Sequence, residues 1–168
     1  MAEKHAVIRK DRLYGTDVAP ALVSLKFFAN DAEADIDNGN VVKLVALIDG
    51  ERELYKAVAP AANTGLEELA IVGTNEILYD ERKKNLDEFY NEAGRAATGY
   101  RPHKGDMFGV TAKGLDAAAT IEKGDIVELQ ADTKLKVVKS ATQGSTKLGV
   151  IADINKAGRY TYYVVEVK

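Results

Sequence analysis

Only one stretch of this chain carries a strong helical period, and its isolation points the rest of the chain toward β structure. Within Asp80 to Thr111, the residues Leu86, Phe89, Tyr90 and Ala93 fall at i, i+3, i+4 and i+7. That spacing places side chains on one face of a 3.6-residue helix. Asp80 and Glu81 put negative charge where the helix dipole favours it. Gly94 stands where a left-handed C′ residue is wanted. Asn85, with Glu88 three residues on, offers an alternative start close to a capping box. A single central α-helix over 80–94 is therefore expected, and it serves as scaffold.

Short extended runs flank it. Before it, Leu22 to Phe28, Val41 to Ile48, Glu53 to Val58, Leu69 to Val72 and Glu76 to Tyr79 read as strands, with Asp49-Gly50 as a tight hairpin turn. After it come Met107 to Thr111, Ile126 to Ala131, Lys134 to Lys139, Lys147 to Ile154 and Arg159 to Val167. The apolar share is 46%, but there is no Trp and only four Phe, so branched aliphatics and Ala must fill the interior. That supply suits small barrels or sandwiches better than one thick core. The fold class expected is mainly β, built of β-sandwich or small β-barrel modules around one central helix, with α+β as the fallback.

A weak repeat supports two modules. Ile36, Gly39, Val42 and Leu44 align with Ile121, Gly124, Val127 and Leu129, and a second strand follows each run. The competing reading is that any two strands after glycine turns look alike. The organisation expected is an N-terminal arm and first strand over 1–30, a β module over 31–79, the helix over 80–94 and a second β module over 95–168, or one compact domain overall.

Two regions invite a partner. The first twenty residues carry little that could form a core alone, which reads as a frayed terminus or as an arm that docks onto a neighbour. The last strand is apolar on both faces: Tyr160, Tyr162 and Val164 point one way, and Tyr163, Val165 and Val167 the other. Such a strand is buried between layers or turns one face to another chain. Candidate partner-binding residues are Val7, Ile8, Leu13 and Tyr14 on the arm and Tyr160, Tyr162 and Tyr163 on the strand. Tyrosine suits interfaces because it buries a large area and keeps a polar tip.

Chemistry is harder to find. A net charge of −3 with interleaved signs argues against nucleic acid as the main partner. The lack of cysteine removes disulfides, thiolate metal sites and cysteine nucleophiles. No apolar run is long enough to span a membrane as a helix, and the charged start lacks a secretory h-region. His5 and His103 have no second ligand at helix spacing. The acidic run Asp31 to Asn40 fails as a calcium loop: with Gly39 at position six, positions one and twelve would be Ala34 and Val45. Gly144-Ser-Thr-Lys lacks the order of a phosphate loop. No enzyme, cofactor or metal is expected.

The run DERKKNLDEFYNEAGRAATGYRPHKGDMFGVT, the N-terminal HAVIRKDRLYGTD and the C-terminal VELQADTKLKVV and TYYVVEV resemble small virion proteins encoded among the head genes of tailed bacteriophages. The C-terminal part, with IEKGDIVEL and KLGVIADI, is similar to their compact β-rich capsid decoration proteins. The resemblance implies a structural protein on the capsid surface, assembled in the host cytoplasm. Its partner would be the major capsid protein, and it would bind as a homo-oligomer such as a trimer, with residues 1–20 as the docking arm. It transfers no motif-level site residue. The alternative, from another class, is a carbohydrate- or host-surface-binding β module; a carboxylate or metal hydrolase comes third.

Overall fold

A computed structural model describes residues 4–12 (side chains as far as Arg9), 21–78, 82, 83 and 85–168. In chain order its strands are β1 (Ile8–Arg12), β2 (Leu22–Ala29), β3 (Ala32–Glu33), β4 (Val41–Leu47), β5 (Leu54–Val58), β6 (Leu69–Val72) and β7 (Ala97–Tyr100). They continue as β8 (Met107–Val110), β9 (Leu115–Ala117), β10 (Ile126–Gln130), β11 (Asp132–Val138), β12 (Lys147–Ala157) and β13 (Tyr160–Val167). The protein is mainly β, as its punctuation by glycine turns requires.

Five strands close a small barrel in the order β2-β5-β4-β6-β7, with β7 returning to β2 through Leu22↔Tyr100 to Leu25↔Ala97. Closure leaves those strands no open edge. The bore is narrow, and the residues inside it are correspondingly small or slender: Val23, Leu25, Val42, Leu44, Ala57, Ala70, Val72 and Ala97. Gly99 completes the fit. A Cβ there would stand 2.7 Å from the Leu25 Cδ2 and 3.1 Å from the Ala70 Cβ.

Strand β3 pairs with β2 beside the barrel, and the remaining seven strands form a sheet in the order β1-β8-β13-β12-β10-β11-β9, antiparallel except for β9 on β11. Its inner face packs on the outside of the barrel. Val41, Leu69, Ile71 and Tyr100 from the barrel join Phe108, Val127, Leu129, Leu135, Leu148, Ile151 and Val165 in one buried cluster. Strand β6 is therefore buried on both faces, and its four residues Leu69, Ala70, Ile71 and Val72 are uniformly apolar. The sheets also mix the chain. The closing strand of the barrel lies beyond residue 95, and the first strand of the larger sheet lies before residue 31.

The central helix is not seen. Leu86–Glu88 forms one 3-10 turn, and Phe89 is already extended at φ −86 and ψ 138. Part of the helix-start signal is used: the Glu88 carboxylate accepts the Asn85 N–H at 3.2 Å, as in a capping box. Tertiary ties then prevent propagation. Asp87 is drawn inward to Tyr160 and Arg159, and Asn91 exchanges both backbone hydrogen bonds with Ile36. Isolated helices of this length have little stability of their own, so such ties prevail. The strand expected at Glu76 to Tyr79 is also absent: 76–78 run irregularly, and Tyr79 lies outside the described residues.

The repeat has a structural counterpart, and among the described residues it occurs three times. Gly39 donates to the Val72 carbonyl while Val72 donates back to that of Asn40; Gly124 and Asp125 do the same with Ile151. Gly105 and Asp106 repeat the exchange with Val167. Each glycine has a positive φ, of 84°, 88° and 92° respectively, which a side chain would resist. In the second and third copies the aspartate locks the turn, with Asp125 accepting the Glu122 N–H and Asp106 the His103 N–H. Each turn thus delivers a strand, β4, β8 or β10, antiparallel to its neighbour.

Candidate functional site

Of the residues singled out on the sequence, Val7, Ile8, Tyr160, Tyr162 and Tyr163 are described, and they pack inside the protein. Val7, Tyr160 and Tyr162 form one small buried cluster on the outer face of the larger sheet. Residues 4–9, expected as an arm, are laid across that face and built into the fold. Val7 and Thr111 exchange backbone and side-chain bonds: the Val7 N–H reaches Thr111 Oγ1 at 3.1 Å, and the Thr111 N–H reaches the Val7 carbonyl at 2.9 Å. Ile8 enters the main core, and Tyr163 packs half-buried against it from β13. Leu13 and Tyr14 lie outside the described residues. In this conformation the two-sided strand therefore has both faces covered by its own chain near Tyr160 and Tyr162.

Polar anchors hold the segment. His5 Nδ1 lies 2.8 Å from Asp37, and its ring stacks on Tyr90 with centroids 4.9 Å apart. Asp87, with 2% of its surface exposed, accepts the Tyr160 hydroxyl at 2.8 Å, Arg159 Nη2 at 3.1 Å and the Lys4 N–H at 3.3 Å. Burial is the largest influence on this carboxyl and pushes its pKa up. The hydrogen bonds from Tyr160 and Lys4 and the charge of Arg159 outweigh it, so the pKa falls below the ordinary value. Burial and the same hydrogen bond push the Tyr160 hydroxyl up. The cluster is an ionised structural lock.

Among the described residues, two concave surfaces stand open. The first lies at the mouth of the barrel. A register shift between Leu44 and Ala46 turns the end of β4 outward, leaving Val45 and Leu47 exposed. Leu47 stands opposite Tyr55, and with Leu22, Val23, Arg52 and Arg101 these residues line a groove of about 840 Å³. Arg101 lies 5.6 Å over the Tyr55 ring and is fixed by a hydrogen bond to the Glu67 carbonyl.

The second is a cleft of about 460 Å³ beside the long β6–β7 connection, with Thr74, Asn75, Ile77, Phe89, Tyr90 and Arg95 among its lining residues. A buried amide beneath it holds the loops. The Asn38 side chain donates to the Thr74 carbonyl at 2.8 Å and accepts the Thr74 N–H at 3.0 Å. Asn91 then donates to Asn38 at 3.1 Å. Loops carry function when a rigid scaffold positions them. Sequence reasoning missed this cleft because its apolar spacing was read as a helix. The usable signal was the Asn38-Gly39 turn and the Thr74-Asn75 pair, polar residues beside strands.

Among the described residues, no group of three or more His, Asp or Glu side chains is placed to hold a metal ion, and no helix is long and apolar enough to cross a membrane. Comparison with protein families, with curated proteins and with solved structures finds no match.

Proposed function

We propose that this chain is a structural protein of a tailed-phage particle that binds the major capsid protein and decorates or stabilises the shell. It acts as a homo-oligomer at the capsid surface, a trimer being what the sequence resemblance implies, and it works by binding without covalent chemistry. The observation that carries the reading is the apolar surface at the barrel mouth, where Leu22 and Leu47, 43% and 46% exposed, line one groove with Tyr55. Clustered apolar side chains with a polar rim are a common form of protein contact surface. A weak contact per copy suffices on a repeating lattice, because bound neighbours raise the effective concentration.

The first test is peptide mass spectrometry of purified particles, quantified against the major capsid protein. Near-stoichiometric copies support a shell component, and complete absence removes the proposal. A Leu22→Asp/Leu47→Asp variant of unchanged stability should no longer sediment with particles. Retained binding would move the contact away from the barrel mouth.

A further inference from the structure

We infer that the groove at the barrel mouth receives an extended segment of a partner protein that carries one carboxylate between aliphatic side chains. The inference rests on the reading of that mouth as the contact surface, and it names what the surface recognises. Arg101, in the lining of the groove, carries it. Its backbone N–H donates to the Ala21 carbonyl at 2.7 Å, and its Nη1 donates to the Glu67 carbonyl at 3.1 Å. Its guanidinium also lies 5.6 Å over the Tyr55 ring. The residue is thus held at its backbone and at its head group. Among the described residues, its Nε and Nη2 donors have no hydrogen-bond partner. Those donors form the side-on fork that matches a carboxylate, which binds in the guanidinium plane and leaves the contact with Tyr55 intact. A guanidinium fixed beforehand loses little freedom on binding.

The rest of the lining selects the neighbours of that carboxylate. Leu22 and Leu47 are exposed and Tyr55 is half-buried, so apolar side chains on either side have surface to cover. Arg52, exposed in the same groove, makes no hydrogen bond, ion pair or ring contact among the described residues and supplies a second cation. Glu53, next to it in the chain, also lines the groove. A run of negative charges, as in a nucleic-acid backbone or a polyacidic tail, would meet that anion. A single carboxylate flanked by aliphatic residues fits beside it.

The test is an amide-shift titration of the isotope-labelled intact protein with the peptide Ala-Leu-Asp-Leu-Ala, with its asparagine and lysine counterparts, and with an oligothymidylate. The aspartate peptide should bind at one site per chain and shift Leu22, Leu47 and Arg101, and the counterparts should bind about tenfold or more weakly. Arg101→Gln should weaken the aspartate peptide about tenfold or more, and Arg101→Lys should not restore it, because an ammonium lacks the fork. Arg52→Gln, which removes no contact within the described chain, should weaken binding without lowering the unfolding midpoint and so reads the site even where Arg101→Gln destabilises the fold. The inference is overturned if no peptide binds, if asparagine serves as well as aspartate, if only the lysine peptide or the oligothymidylate binds, or if both glutamine variants keep the parent affinity. Particle sedimentation is read separately. Peptide binding without it removes the capsid partner and keeps this site, and sedimentation without peptide binding does the reverse.

Discussion

Replacing Asp87 by Asn keeps the shape of the side chain and removes the charge on which the N-terminal segment is anchored. Three donors converge on that carboxylate: the Tyr160 hydroxyl, Arg159 and the Lys4 backbone. The amide retains one acceptor and turns an NH2 toward another donor. A buried hydrogen bond to a charged group contributes roughly 1.5–3 kcal/mol, and a donor left unsatisfied costs about 1–3 kcal/mol. Arg159 is about a third exposed and can turn to water, so its share is discounted to at most about 1 kcal/mol. A loss of about 2–3 kcal/mol at neutral pH follows.

The pH dependence has a definite sign. The folded pKa of Asp87 is depressed, so its stabilisation is full above the unfolded value of about 3.9 and is lost as pH falls through the folded one. Urea unfolding of parent and variant at pH 7, 5 and 3 measures this. The gap should be constant from pH 7 to 5 and begin to close below about pH 4. Amide exchange at Ala6 to Ile8 should quicken in the variant. A gap under about 0.5 kcal/mol at pH 7, or one that persists unchanged into strong acid, would refute the lock.

Two glycines of the repeated turn should separate strain from crowding. At Gly124 an added Cβ meets nothing within 4 Å, so Gly124→Ala should cost only the positive-φ penalty of about 1–2 kcal/mol in denaturant unfolding. At Gly39 the same atom would stand 2.5 Å from Val110 Cγ2, so Gly39→Ala should cost roughly 1–3 kcal/mol more. Gly99→Ala, inside the barrel, should also lose about 1–3 kcal/mol despite an ordinary φ. Deleting residues 1–9 removes Ala6, Val7 and Ile8 from the interior. It should lower the unfolding midpoint sharply, whereas a detached arm would leave the midpoint unchanged.

Strand positions and hairpin turns were legible because they rest on local periodicity. Val41–Leu47, Leu54–Val58, Leu69–Val72, Ile126–Gln130 and Tyr160–Val167 fall where alternation or short apolar runs place them. The helix failed because its signal was equally local while the forces that decide the segment are not. Asp87 and Asn91 look like ordinary polar positions on a helix, yet each is committed to a residue more than fifty positions away. The third copy of the turn was missed for a related reason. Pro102 stands where the other copies have Ile, so matching on apolar positions passed over a repeat that backbone hydrogen bonding defines. The open surfaces were invisible because their residues come from separate elements: Leu22, Leu47 and Tyr55 share a groove only once the barrel closes.

The last strand shows how one correct observation leads to two different surfaces. A strand apolar on both sides must cover both, and β13 does: Val165 and Val167 face the shared core, and Tyr160 and Tyr162 face the segment from Lys4 to Arg9. Arg9 lies 5.3 Å over the Tyr162 ring and Arg159 lies 5.2 Å over that of Tyr160, so cations close the rim of the covered face. Once the N-terminal segment fills that face, neither is left at Tyr160 or Tyr162 for a partner in this conformation. The barrel mouth differs in a specific way. The bulge in β4 leaves Val45 and Leu47 outside with no segment of the described chain laid over them, so a contact surface there requires no prior unfolding. Association at the mouth would therefore proceed without a conformational change, whereas association through Tyr160 would be limited by release of the N-terminal segment. Binding rates measured for the parent and for Asp87→Asn distinguish the two routes: equal rates locate the contact at the mouth, and faster binding by the variant locates it beneath the segment.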